Sequence, residues 1–510
     1  MLAAALAGGR ALGTAALLVG GLAGVAPFAH ADGANLPSGC SQQPYAVEGG
    51  GVVITCTEGL AKGNELQGSG RKDRFVITGN VAEGAKIAAG DGGAEITVKG
   101  SVGGTVDGGA GKDTITVKGE APVRGSGVLR VGTGDEITVT ADSGDAAANS
   151  GTIEATGATV KVGGAGLVEF SDEELQQIAV PEAIRPAALP ANGKGGVIKG
   201  ESSKITLVGG DGQAANLGRV DVPGGTVIAR GGAGADGNAS GGAITAGTVE
   251  ATGGDTDAFS PGGVGNAGSV SAATAKATGG RGYDGSGGGE GTSGGIGNTG
   301  TITATESVVT GGEGAPGGIG NTGTVTATDA AVRGGAGSSG RAWNGHDGGN
   351  GNSGKITATG KLLVEGGSGG RGKTGEDGSD ASNSNGRAGG GTQGGNGGTG
   401  NSDKGTVKAD GPEATITVAG GAGGHGGNGG KAGRTASAGK DAAGAGGNGG
   451  NGGTGNKGTV TVTHANQATI TGGAAGSAGT AGDASGIGTI SAANGRPGTL
   501  GDIGNTAREE

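Results

Sequence analysis

Large side chains are almost missing from this chain. Of 510 residues only 4 are Phe, 2 Tyr and 1 Trp, with 1 Met and 2 Cys. A globular core of that length rests on dozens of large buried groups, because burial at roughly 25 cal/mol per Å² is what offsets chain entropy. The apolar share, 32%, is mostly Ala, Val and Ile. That excludes a conventional core and leaves disorder, or a stack of repeats each burying a small apolar face on its neighbours. Proline is scarce too, at 12 residues, whereas a collagen triple helix needs ~15–20%. No cluster of Lys and Arg is interleaved with aromatics, and the formal charge is −11. Nucleic-acid binding therefore has no basis. The mild acidity fits solubility first and cation binding second.

Catalytic constellations are also missing. His346, His425 and His464 lie in separate repeats without a carboxylate cluster, and there is no G-x-S-x-G elbow or P-loop. Carbohydrate-cleaving β-helices need clustered carboxylates and aromatics to stack sugar rings. The expectation is a protein that is not an enzyme.

The first 31 residues read as an export signal. Arg10 precedes an apolar run from Ala11 to Phe28, and Ala29-His30-Ala31 is a small-residue cleavage site before Asp32. No later apolar stretch is long enough to span a bilayer. The expected location is secreted, extracellular or cell-surface. In such an oxidising compartment Cys40 and Cys56, the only two cysteines, are expected to form a disulfide that caps the first repeat.

What the chain has in abundance is glycine, 137 residues, and it is patterned. Residues 32–168 read as an N-terminal parallel β-helix. Its runs are Phe75-Val76-Ile77, Glu95-Ile96-Thr97-Val98, Thr114-Ile115-Thr116-Val117 and Glu136-Ile137-Thr138-Val139. Phe75, Ile96, Ile115 and Ile137 mark successive turns, with Ile and Val facing inward and Thr outward. Residues 169–195 read as a short helix and linker: Ser171 caps it, Glu174 completes the capping box, and Pro181 stops it. Residues 196–505 read as a second solenoid, followed by a tail at 506–510. Its strands start at Val270, Ile302, Val325, Ile356, Val407, Val460 and Ile490. Strand content is constant and only the loops change length.

Those loops repeat every three residues. Gly occupies 279, 282, 285, 288, 291, 294, 297 and 300, then 311, 314, 317, 320 and 323, then 366, 369, 372, 375 and 378. Residues 420–431 and 446–454 read Gly-Gly-x. Three residues per turn is the polyproline-II repeat, and glycine on one side lets neighbouring backbones meet. A floppy linker is the plain alternative, and the strict phase favours ordered hairpins stacked rung on rung. The expected fold class is all-β: a parallel β-helix or β-solenoid carrying glycine-rich polyproline-II-type hairpins.

These Gly-Gly-x tracts resemble the PGRS-type glycine-rich regions of mycobacterial surface proteins, and also glycine-rich antifreeze proteins and phage tail-tip adhesins. The resemblance covers about residues 253–488 and implies a scaffold used for surface exposure, adhesion or ice contact. Asp107-Gly108-Gly109-Ala110-Gly111-Lys112-Asp113-Thr114-Ile115-Thr116 resembles one copy of the RTX nonapeptide. That resemblance implies Ca²⁺ at the turn, with Asp113 as carboxylate ligand and Gly109 and Gly111 permitting the turn. Neither neighbouring turn is a full match, so an ordinary Asp/Gly turn is the alternative.

Two surface features complete the reading. Thr301, Thr303 and Thr305 would stack on Thr324, Thr326 and Thr328, as in ice-binding solenoids, but Lys355, Lys408 and Asp410 interrupt the face. Phe259, Tyr283 and Trp343 lie in glycine-rich loops rather than strands, which makes them candidates for contacting a partner. The expected partner is an extracellular surface or polymer. Oligomeric state is left open.

Overall fold

The computed structural model describes residues 36–142, 146–164, 189–256, 260–284, 291–339, 344–378, 387–432, 442–463, 467–484 and 491–509. The export segment, the helix and Pro181 that follows it, and Phe259, Trp343, His464 and Ile490 lie outside them.

Among the described residues the chain is a single long β-solenoid, and its register follows from side-chain alternation. Inward Ile and Val must land on Ile and Val of the next rung, because a one-residue slip would expose every one of them. Phe75 pairs with Ile96, Ile96 with Ile115, and Ile115 with Ile137, all in parallel. These are the turns read from the sequence, and all four side chains are buried. Each early rung carries a second short strand, as in Glu65–Gln67, Lys86–Ala88 and Thr105–Asp107. It also has a single bridge residue on a third side, running Leu60, Val81, Val102, Val123.

Strands Thr152–Ala155 and Thr159–Gly164 pair directly with Val197–Lys199 and Lys204–Val208. The stack is thus continuous across the 165–188 stretch. Both strand columns then merge in Arg219–Arg230. Val270, Ile302, Val325, Ile356, Val407 and Val460 follow one another in register, as the repeat implied. The last step differs from the expectation. Arg508, not a residue near Ile490, lies opposite Thr461. The return of the loop to the stack at Asn505 decides where the next rung starts.

At the other end, strand Cys40–Pro44 runs antiparallel to Gly50–Cys56, with Cys40 bonded to Cys56. It covers the edge of the first rung. With the cysteines separated by 16 positions, such a link contributes about 3 kcal/mol in the chain-entropy account.

The bridge column changes character along the axis. After Val123 it becomes Asn149, Asn192, Asn216, Asn238, Asn266, Asn298, Asn321, Asn352, Asn401 and Asn456, all fully buried. Each Nδ2 donates to the Oδ1 of the next asparagine at 2.7–2.9 Å. Asn456 ends the series on the Asn505 carbonyl at 2.9 Å. A buried amide costs free energy unless both its ends are bonded, and here each rung supplies what its neighbour lacks.

Replacing Asn321 with Ala removes the ladder partner of Asn298 Nδ2 and of Asn352 Oδ1, leaving the first only the longer contacts to the Gly300 and Thr324 carbonyls and the second only the Gly354 amide. A loss of about 1–3 kcal/mol is expected, against roughly 0.5 kcal/mol or less for the exposed Thr326→Ala. Urea unfolding followed by hydrogen exchange on strands Thr301–Thr310 and Lys355–Ala358 checks this. Equal losses for the two variants would show that the ladder carries no weight.

Candidate functional site: the glycine wing and the Asp113 turn

Each long loop leaves the stack at the end of a strand, runs outward, and returns to the next ladder asparagine. The three positions of the triplet have separate tasks. In the arm from 420 to 430, the first glycines, Gly420, Gly423, Gly426 and Gly429, donate to the same arm one rung on. Their acceptors are the carbonyls of Thr471, Ala474, Ser477 and Thr480, at 2.8–3.0 Å. The second glycines, Gly421, Gly424, Gly427 and Gly430, donate to the returning arm of the preceding rung, at Gly398, Gly395, Thr392 and Gly389. The third residue faces solvent.

A Cβ at Gly424 would run into the Gly370 carbonyl oxygen, and one at Gly450 into that of Gly395. Glycine at both positions is therefore required by approach distance. The expected hairpins are present, and side by side they form a wing.

The solvent-facing position carries a device the sequence reading missed. Asn and Asp there accept the outward amide of the next rung. Asn344 takes Gln393, Asp347 takes Asn396, Asn350 takes Thr399, Asn448 takes Arg496, and Asn451 takes Thr499. His425 does the same through Nδ1, which accepts the Ser477 amide at 3.2 Å and lies 2.6 Å from its Oγ. This exposed Ser–His contact is a backbone staple, since no carboxylate is bonded to the ring among the described residues. Recurrence of Gly-Gly-Asn in the returning arms is the signal that could have shown it.

Of the three aromatic candidates only Tyr283 is described. It is half-buried at a pinch of its hairpin, where its amide donates to Thr292 Oγ1 at 2.7 Å and its carbonyl accepts from Thr292 N–H at 2.8 Å. The hydroxyl columns are in register, Thr301 beside Thr324 and Thr303 beside Thr326. Lys355 and Lys408 break them in the following rungs.

Around Asp113 the structure forms a tight turn. Gly109 and Gly111 take φ of 86° and 112°, which is open to glycine and costly for other residues. Asp113 is fully buried. Its counterpart one rung on, Asp135, accepts the amides of Asp113 and Gly132, and Asp73 accepts those of Val52 and Ser69. Neither oxygen of Asp113 has a hydrogen-bond partner of ordinary geometry among the described residues. Burial first, then the negative charge of Asp135, pushes its carboxyl up to about 7, with the Ala94 amide pulling the other way and Asp107 adding to the rise.

Among the described residues no group of three His, Cys, Asp or Glu side chains is placed to hold a metal ion. An open groove of about 690 Å³ lies at the far end of strand Thr114–Gly119 from this turn, lined by Asn80, Lys99, Ser101, Lys118, Arg124 and Asp142 among others. Lys118 sits 3.5 Å from Asp142 there. No family model, curated protein or solved structure matches the chain.

The folded Asp113 holds its proton up to about pH 7, whereas an unfolded Asp releases it near 3.8. Between those values the folded state binds more protons, so stability falls as pH rises through this window and levels above it. Asp236, also raised by burial, acts in the same direction. Asp113→Asn is expected to flatten the fall, measured as urea midpoints from pH 4.5 to 8. An unchanged pH dependence would show that Asp113 does not retain its proton.

Proposed function

We propose that this protein is a non-catalytic, exported surface protein whose glycine wing is a rigid platform meeting an extracellular surface or polymer. The observation that carries this reading is the division of labour in the triplets. Two positions of three are spent on backbone contact, so each third side chain is held outward at fixed spacing. Along an arm that spacing is about 9 Å, and from rung to rung about 4.8 Å. Small-molecule sites are concave and mostly apolar. A flat, repeating polar array suits an extended, repeating partner instead. The likeness to PGRS-type regions and tail-tip adhesins supports the same reading, as does the leader-like sequence at 1–31.

Two results are expected. Mass spectrometry of the exported chain should find Asp32 at its start. Retention on isolated cell envelopes or insoluble polysaccharide should drop at least tenfold when the outer parts of the three longest hairpins (372–392, 426–447 and 478–495) are replaced by short glycine turns. A chain kept inside the cell with residues 1–31 attached, or a trimmed wing retained as well as the full one, would sink the proposal.

Calcium at the Asp113 turn is a second reading, favoured by the two unpartnered carboxylate oxygens. A hard dication takes six to eight oxygens, so Asp113 would need turn carbonyls and water to complete the set. Millimolar Ca²⁺ should then raise the melting temperature by linkage, and Asp113→Ala should abolish the increment. Equal melting with Ca²⁺ and with chelator leaves only a structural turn.

A further inference from the structure

We infer that the last polyglycine layer, its described arms 472–484 and 491–503, is an end cap that bars a further layer from seating on the wing, including one offered by a second copy of this chain. The register of the arms makes the rungs comparable position by position. Gly449, Gly452 and Gly455 donate to the carbonyls of Arg496, Thr499 and Asp502 in the next rung. One rung earlier, Gly394, Gly397 and Gly400 donate likewise to Asn448, Asn451 and Thr454. These forward-facing positions are glycine for a steric reason. A Cβ at Gly449 would meet the Gly476 carbonyl oxygen, one at Gly452 that of Gly473, and one at Gly397 that of Gly421.

In the last rung the forward positions change. The places of Gly446, Gly449, Gly452 and Gly455 are taken by Asn494, Pro497, Leu500 and Ile503. On the outgoing arm, Gly423, Gly426 and Gly429 become Ala475, Ala478 and Ala481. The second-position glycines, which bond within the wing, are kept: Gly495, Gly498 and Gly501 donate to Gly479, Gly476 and Gly473. Glycine is thus lost at seven positions where a following layer would have to approach, and kept at these second positions.

The stranded donors are dealt with as well. Pro497 has no N–H at a position whose N–H would find no acceptor, and the Ala481 amide donates to Asn494 Oδ1 at 2.7 Å. Leu500 and Ile503 stand 75% and 54% exposed, which a side chain placed only for local packing would not be.

A second copy has a matching face to offer. The arm from 372 to 378 reaches past the preceding hairpin, and no described residue donates to the carbonyls of Thr374 and Asp377. Such a row of acceptors would pair with the forward amides if the side chains above did not stand between them. Unpaired backbone edges invite association, and blocking residues are a known answer.

The test restores glycine at Ala475, Ala478, Ala481, Pro497 and Leu500 together. Sedimentation velocity from 1 to 100 μM is expected to show one species for the wild type and concentration-dependent association for the variant. Hydrogen exchange should show new protection at positions 475, 478 and 500 as the variant associates. Wild-type association that protects those amides, or a folded variant that stays as monodisperse as the wild type, overturns the proposal. Gly452→Leu, which moves the blocking leucine one rung back, decides the matter if the first variant does not fold. It should speed exchange at Gly449 and Gly455 at least a hundredfold while residues 394–400 stay protected. Unchanged protection at Gly449 and Gly455 would mean that leucine is no block there, and the proposal fails.

Discussion

The fully buried amide-to-amide ladder is the constraint on which the rest of the molecule depends. A lone asparagine in that column would be costly, because its amide has one donor and one acceptor pointing along the axis. A column of them is self-satisfying, since each inner member finds its axial donor and acceptor on the asparagines before and after it. The ladder therefore fixes where each rung closes, whatever happens between rungs. Partners lie from 22 to 55 positions apart in sequence. The loops are free in length because closure is specified at their root.

The strands in turn dictate the chemistry of the wing. Parallel strands stack about 4.8 Å apart, and arms springing directly from them inherit that separation. No side chain fits between backbones so close, so glycine follows from the spacing rather than from a need for flexibility. The usual entropic penalty of glycine is met by hydrogen bonds in two directions from every triplet. The same logic explains the few large side chains. The core is a thin prism of Ile, Val, Leu and Ala, and the wing has no core at all.

Much of this was legible in the amino-acid order. Phe75, Ile96, Ile115 and Ile137 announce their register because inward apolar residues cannot slip by one. The triplet phase announces the hairpins. The ladder was not read, although Gly-Asn-x-Gly recurs at 265–268, 297–300, 320–323, 351–354 and 455–458. Asparagine beside glycine is the ordinary signature of an exposed turn, and burial of a polar group by its own copies is invisible to a local reading. The nonapeptide pattern marks Asp113 as a candidate ligand or a plain turn residue, but its burial without a hydrogen bond of ordinary geometry depends on the rungs above and below. The strand that follows Thr459–Val462 in the stack is Arg508–Glu509, whose Arg-Glu composition gives no strand signal.

The overhang at 372–378 points to how such a wing can change over generations. One triplet is nine nucleotides, and glycine-rich coding tracts repeat nearly in register with themselves. A slip of nine nucleotides in each arm lengthens a hairpin while preserving every glycine phase and leaving the asparagine root untouched. The outcome is an overhang of the kind already present, where 372–378 reaches past the preceding hairpin and, of the two neighbouring hairpins, bonds only to the following one. The outline of the wing is thus free to drift while the prism behind it stays fixed.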